Sequence, residues 1–359
     1  MKQKYLRVLG LMTGTSLDGI DASIIKTNGE NVSYLDRNVF QKYNSITKDE
    51  IKNLISKFKT SNQNDFSYIS DLITQEHIIA IKNFKIHEYD LIGVHGQTVF
   101  HNPKKYLSLQ IINAQKISNF FKKRVVYDFR GNDILCGGQG APIAPIYHKF
   151  LIENLKLNLP SCIINIGGIS NLTYWDGKSL IGFDCGPGNT LMDKTMQKYL
   201  KKDYDKFGVN ASKGKVDENY VNMILNDQYF TIKYPKSLDN KYFDKYLYEK
   251  YTKRLTFEDL MASLLQITVL SIKKSIYQLE SDINSIIITG GGSFNRFLLE
   301  KIEENIDIPI LKTHLKKKFT ESELICYLSA RRIYNLPITF PKTTGVKNPT
   351  IGGKIINPI

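Results

Sequence analysis

Cysteine is scarce. The four in the chain, Cys136, Cys162, Cys185 and Cys326, are scattered and form no C-x-x-C pair. That excludes a zinc ribbon or a disulfide scaffold and fits a reducing compartment. The six histidines show no H-E-x-x-H or other tight ligand spacing, so no structural metal is expected. No apolar run approaches the roughly 20 residues of a membrane span. The apolar patch Val8–Met12 is too short for a signal h-region and is followed by no small-x-small cleavage site. A cytoplasmic protein with no membrane partner is the expectation. Arginine is also rare: only eight of the 49 basic residues are Arg, and the rest are Lys spread among Asn, Ile and Tyr. The densest basic runs, Lys316–Lys318 and Lys201–Lys202, lack interleaved aromatics and Arg. The net charge of +14 therefore reads as compositional bias, and no nucleic-acid partner is expected.

What is present is ordinary globular material. The chain has 359 residues, 42% of them hydrophobic and 23% charged, enough for two domains or one large one. Its two halves rhyme. The first opens with the apolar run Leu6–Met12, the polar turn Thr13–Gly19 and a second apolar run, Ile20–Ile25. The second opens with Cys162–Ile166, the turn Gly167–Asn171 and Leu172–Trp175. Each reads as strand, glycine turn, strand. A later pair matches too: Asp90–Gln97 and Asn284–Gly292 are short buried strands running into glycine turns. Helical spacing marks Lys48–Phe58, Ser67–Phe84, Asn189–Lys202, the stretch Leu260–Ile276 behind a capping box at Thr256 and Asp259, and Arg296–Glu303. The pattern predicts two similar α/β halves, each a mixed sheet opened by a hairpin. Four glycine turns around one inter-domain crevice would suit a nucleotide, because bare backbone lets amides approach phosphates.

The turn Gly14–Gly19 offers the hydroxyls of Thr15 and Ser16 and the carboxylate of Asp18 between two glycines. A hairpin turn wants Gly and Asp anyway. The alternative is a phosphate cradle with Asp18 on a hydrated Mg²⁺. It does not match G-x-x-x-x-G-K-[ST] and is no Walker loop. Gly167–Asn171 is a second phosphate candidate. Gly290–Gly292 exceeds what a strand-to-helix turn needs and would suit a flat adenine or ribose. Asp184 is expected at the end of a short strand, Ser179–Phe183, just before a helix started by Pro187 and Gly188. Chemistry alone divides it evenly between a helix N-terminal carboxylate and a catalytic base. His95 and Gln97 flank Gly96 at a strand end, where ligands of open α/β sheets collect. Arg130, in a Lys-dominated chain, suits a role needing a bidentate fork. The glycine–proline stretch Cys136–Pro145 reads as a shaped loop or hinge.

At these residues the sequence resembles the anhydro-N-acetylmuramic acid kinase family of the actin/Hsp70/sugar-kinase superfamily. The matching motifs are Gly14–Ala22, His95–Thr98, Val126–Arg130, Gly137–Pro142, Asn165–Asn171, Gly182–Asn189, Gly290–Gly292 and the tail Thr344–Gly345 with Gly352. Cys185 stands where the family usually has Thr, and Pro235–Asn240 matches a P-K-S-T loop in its first three residues. The resemblance implies two ribonuclease H-like (actin-like ATPase) domains, residues 1–140 and 141–359, the last helix returning toward the first half. It implies ATP- and Mg²⁺-dependent hydrolysis of the 1,6-anhydro ring with phosphorylation of the 6-oxygen, in peptidoglycan recycling, by a homodimer acting on a small-molecule substrate. ATP would lie on Gly14, Thr15, Ser16, Leu17, Asp18, Gly19, Ile20 and Asp21, with Gly167, Gly168, Asn171 and Gly290–Gly292. Asp184 would be the base. His95, Gln97, Arg130 and Glu321 would contact the sugar, with Glu321 favoured over Glu323. Another sugar kinase of the superfamily, or a non-catalytic actin-like ATPase, would share the nucleotide turns.

Overall fold

A computed structural model describes every residue except 1, 2, 15, 59, 86, 87, 103, 104, 106, 240 and 312–319. In chain order the elements are β1 (Leu6–Thr13), β2 (Gly19–Thr27), β3 (Val32–Lys42), α1 (Ser45–Ser56), α2 (Gln63–Asn83), β4 (Leu91–Val94), β5 (Gln97–Asn102), β6 (Leu107–Ile111), α3 (Ala114–Phe121), β7 (Arg124–Tyr127), α4 (Gly131–Leu135) and α5 (Pro145–Asn154). Then come β8 (Ser161–Ile166), β9 (Ile169–Trp175), β10 (Leu180–Pro187), α6 (Thr190–Leu200), α7 (Glu218–Leu225), α8 (Glu249–Thr252), α9 (Phe257–Tyr277), β11 (Ser285–Thr289) and α10 (Arg296–Asn305). The chain ends with α11 (Thr320–Ile333), α12 (Pro341–Thr344) and β12 (Lys354–Ile356). Helices α1 and α2 start earlier than their apolar spacing indicates because asparagines cap them. Asn44 accepts from Thr47 N at 2.7 Å, and Asn62 forms a capping box with Asp65.

The chain divides into two units, Met1–Phe150 with Phe319–Ile359, and Leu151–Lys318. The boundary expected from sequence lies after residue 140; that of the folded chain falls within α5. The reason is aromatic packing. The rings of Tyr147 and Phe150 stack with each other and against Tyr327 of α11. The returning segment also carries more than a helix, since β12 pairs with β7.

In the first unit the sheet order is β12-β7-β4-β1-β2-β3. Strands β1 and β2 are antiparallel, whereas β4 runs parallel to β1 and β7 parallel to β4. In the second unit the order is β10-β9-β8-β11. Here β9 is antiparallel to β8 and β11 is parallel to it. Ile286 and Ile310 form a parallel bridge on the far side of β11, where β7 lies in the first unit. The same order and the same directions occur twice. This is the duplicated α/β plan, mixed sheets flanked by helices, that two ribonuclease H-like halves require. Strands β8 and β11 are rich in Ile and almost wholly buried, as strands covered on both faces must be. Each unit has its own core, around Leu9, Ile20, Ile73 and Ile92 in the first and Ile164, Phe183, Leu264 and Ile286 in the second. Among the described residues no helix is long and apolar enough to cross a membrane.

Candidate active site

The first unit's hairpin turn is held from below. The Thr13 hydroxyl donates to Gly96 O at 2.8 Å, and the Gln97 amide donates to Gly14 O at 3.1 Å. Gln97 is fully buried, and its oxygen accepts from the Tyr43 hydroxyl at 3.3 Å. Leu17 turns the chain in the left-handed region and plugs its side chain into the core. Ile20 is also a core side chain, so it can offer a ligand only its backbone. The Asp18 carboxylate is half-exposed, 3.7 Å from Lys48 Nζ. Thr15, the other hydroxyl of the turn beside Ser16, lies outside the described residues.

His95 and Arg130 form one device. The His95 Nδ1–H donates to Gly96 O at 2.9 Å, which leaves Nε2 bare, and Nε2 accepts from Arg130 Nε at 3.0 Å. Burial first, then the Arg130 charge, pushes the His95 pKa down to about 3, so the ring stays neutral and can accept. Arg130 Nη1 donates to Gly140 O at 2.8 Å. Asp133, fully buried, takes Gly140 N at 2.6 Å and the Thr344 hydroxyl at 2.7 Å. The Cys136–Pro145 stretch is therefore a loop folded around two charged side chains. Sequence reasoning missed Asp133, three residues after Arg130. On α11, Glu323 is buried and accepts from the Tyr147 hydroxyl at 3.1 Å, while Glu321, on the same first turn, is less buried.

In the second unit the loops after β8 and β11 meet the start of α6. Asn189 N donates to Gly167 O at 2.8 Å, and Gly188 N donates to Gly168 O at 2.9 Å. The glycines separate into two classes. A side chain at Gly290 would be strained by its positive φ and would meet Asn165 Oδ1 at 2.5 Å; at Gly292 it would strike Ile166. Gly19 likewise has no room beside Gln41 O. Gly14, Gly167 and Gly291 differ. A Cβ there would meet nothing closer than 3.5, 3.5 and 3.8 Å. The chain's own packing does not demand glycine at these three positions, and what they leave open is bare backbone.

Asp184 is not at a strand end, as expected from sequence. Strand β10 runs on to Pro187, and Asp184 stands inside it at a bulge, where the pairing with β9 shifts between Asp184 and Gly186. The extra residue is Cys185, fully buried, its thiol pushed up to about 12 by burial and so inert. The bulge breaks the alternation of the strand just beyond Asp184. Three bonds then fix it: Asp184 N donates to Lys236 O at 3.0 Å, Leu238 N donates to Asp184 Oδ2 at 2.8 Å, and the Tyr229 hydroxyl donates to Asp184 O at 2.5 Å. Only about 6% of Asp184 is exposed. Directly opposite on β9 is Asn171, whose buried Oδ1 has no hydrogen-bond partner. In sequence, the residues 236–238 that clamp Asp184 show only as part of a loop match.

A profile of the anhydro-N-acetylmuramic acid kinase family matches residues 6–358. Curated anhydro-N-acetylmuramic acid kinases align along their whole length. That of Pelagibacter ubique (strain HTCC1062) is 38% identical, covering 99% of each chain. That of Rhodopseudomonas palustris (strain BisB18) is 34% identical over 98% of this chain and 100% of its own. That of Zymomonas mobilis subsp. mobilis is 33% identical over 97% and 98%. With its motifs spread from the first hairpin to the C-terminal tail and its full length matched, the chain belongs to the anhydro-N-acetylmuramic acid kinase family.

Proposed function

We propose that this chain hydrolyses the anhydro ring of 1,6-anhydro-N-acetylmuramic acid and phosphorylates its 6-oxygen with ATP, giving N-acetylmuramic acid 6-phosphate and ADP, in peptidoglycan recycling and amino-sugar catabolism. The observation that carries the reading is Asp184: a buried residue beside a bulge, fixed by three hydrogen bonds of which one is to its carboxylate, in a chain whose whole length matches this family.

The residues present fit a nucleotide and a hard cation. Three glycines open without structural need, Gly14, Gly167 and Gly291, leave cradles that a Cβ would fill. The orphan Asn171 Oδ1, opposite Asp184, is open to a donor, and the half-exposed Asp18 carboxylate suits a hydrated divalent ion. We assign nucleotide binding to Gly14–Asp21, Gly167, Gly168, Asn171 and Gly290–Gly292, and Mg²⁺ to Asp18. When bound, ATP and Mg²⁺ supply the phosphoryl group and neutralise its developing charge.

Asp184 accepts a proton from a water whose oxygen attacks the anomeric carbon. As the bond from that carbon to the 6-oxygen breaks, its electron pair stays on the 6-oxygen, which takes the γ-phosphoryl. No hydroxyl proton exists on the 6-oxygen to remove, so the base must act on water. Backbone amides of the glycine loops offer donors to the phosphates. On the sugar side we assign His95, Gln97, Arg130 and Glu321; His95 and Gly140 O hold the Arg130 guanidinium, and Gln97 also props the Gly14 turn. The family resemblance supports a cytoplasmic homodimer, which light scattering after gel filtration checks.

Asp184→Asn keeps the shape and removes the base. Both substrates should still bind, while ring opening and phosphorylation fall together by roughly 10²–10⁴. In heavy-oxygen water the wild-type product should carry label at the anomeric hydroxyl and none in phosphate. Label in phosphate, or ring opening by the Asn variant, would overturn the mechanism.

A further inference from the structure

Lys236 carries a charge where charges are costly. The residue is only 4% exposed. Its Nζ makes a long hydrogen bond to Tyr229 O at 3.4 Å and lies over two aromatic faces, 4.7 Å from the Tyr229 ring centre and 5.6 Å from that of Phe183. Ring faces attract a cation but do not replace its hydration, so a buried ammonium held this way needs a compensating negative charge. The same stretch of chain supplies its neighbour. Lys236 O accepts from Asp184 N, Leu238 N donates to Asp184 Oδ2, and Phe183 immediately precedes Asp184.

We propose that Lys236 is a positioning residue for Asp184: its caged ammonium keeps that carboxylate ionised and ready to take a proton from water. The proposal rests on Asp184 being the base. A carboxylate buried at a bulge drifts toward its neutral form, and a nearby fixed cation opposes the drift. The rings of Tyr229 and Phe183 hold the cation in place, while the backbone of residues 236–238 holds the carboxylate.

The groups facing Lys236 are Asp184 and Cys185 from β10 and Tyr229 from the 228–231 turn, with Tyr242 behind Tyr229. Burial pushes the Tyr229 hydroxyl well above its ordinary range and the Cys185 thiol up to about 12, so both stay neutral at working pH, and the Tyr242 hydroxyl is raised too. Asp184 and Lys236 are the pair left to titrate. Burial lowers Lys236 to about 8, while the charge of Asp184 acts in the opposite direction. The ammonium is therefore present below that pH and lost above it, and activity should decline on its alkaline side near pH 8.

Two variants and one spectroscopic titration test this. Lys236→Met removes the cation at every pH. Its kcat should fall about tenfold with KM within about twofold, and the acid limb of its kcat profile should move up by about one pH unit. Lys236→Arg keeps the charge, so its alkaline limb should recede to higher pH with much of kcat retained. A loss of kcat with the acid limb unmoved would make Lys236 merely structural and overturn the proposal. The titration does not depend on a lysine variant folding. In protein labelled with ε-¹³C-lysine, one resonance should titrate near pH 8, and in Asp184→Asn it should titrate lower. Absence of any lysine titrating below about 10, or one unmoved by Asp184→Asn, also overturns it. An Asp184→Asn enzyme that still opens the ring would refute the base assignment, yet leave the lysine shift in place, so the two failures are distinguishable.

Discussion

Asp184 owes its setting to one extra residue. Without the bulge at Cys185, alternation along β10 would continue in register, and the residues beyond Asp184 would exchange faces. Around it, single atoms carry distinct duties, and glycines test them. Gly291→Ala meets only Asn189 Nδ2, at 3.8 Å, so thermal stability should stay within about 0.5 kcal/mol while KM for ATP rises about tenfold. Gly292→Ala strikes Ile166 and should cost ~1–3 kcal/mol of stability whatever it does to ATP. Differential scanning fluorimetry with ATP kinetics separates the two. A normal KM for ATP in Gly291→Ala would remove the open-cradle argument. His95 acts through Arg130. His95→Phe leaves Arg130 Nε without its acceptor and should raise KM for the sugar about tenfold, with KM for ATP little changed. If ATP affinity falls instead, Arg130 belongs on the nucleotide side.

Helix α11 shows how an element far along the chain completes the first sheet. It packs so closely over β1, β2 and β4 that two strand positions accept no side chain. A Cβ at Gly10 would run into Ser322 O and come within 2.6 Å of Cys326 Sγ; one at Gly93 would meet Ser329 Oγ. Small residues at 322, 326 and 329 make the approach possible, and polar contacts pin it. Ser23 and Ser322 share a hydrogen bond at 2.6 Å, Cys326 Sγ donates to Ser23 O at 3.3 Å, and Arg331 Nη1 donates to Gly29 O at 2.7 Å. Gly93→Ala should therefore lift α11 from the sheet and cost ~2–3 kcal/mol or more. A thermal melt that stays at the wild-type midpoint would contradict this packing.

Across the whole chain, the buried histidines tie stability to pH, and the described ones all lie in the first unit. Burial lowers His77 to about 4, and His95, His101 and His148 to about 3. Between those values and the ordinary ~6.5 of an unfolded histidine, the unfolded chain binds more protons than the folded one. Stability is thus fully present above pH 6.5 and is lost as pH falls toward 4. Each group contributes up to ~1 kcal/mol per pH unit in that window. Circular dichroism melts should show the midpoint falling steadily from pH 7 to pH 5, the reverse of a protein held by histidinium ion pairs. A midpoint that is flat or rising on acidification would contradict this reading.

Much of the architecture could be read from one dimension. The strand–glycine turn–strand device stands at Leu6–Ile25 and again at Cys162–Trp175, because apolar β-branched runs and glycine turns are local signals. The open glycines were legible as types, since Gly, Ser, Thr and Asp in one turn suit either a hairpin or a cradle. Which of them packing requires, and which it leaves open, depended on neighbours distant in sequence: Gln41 for Gly19, Ile166 for Gly292 and nothing close for Gly291. The bulge at Asp184 was invisible, because a shift in pairing belongs to two strands and not to one. Lys236 shows in the sequence only as part of a loop match: one lysine among dozens carries no mark of burial, and only the fold encloses it between Phe183 and Tyr229. Local chemistry follows from residue type and spacing; burial, charge compensation and close approach are properties of pairs brought together from afar, and only the folded chain decides them.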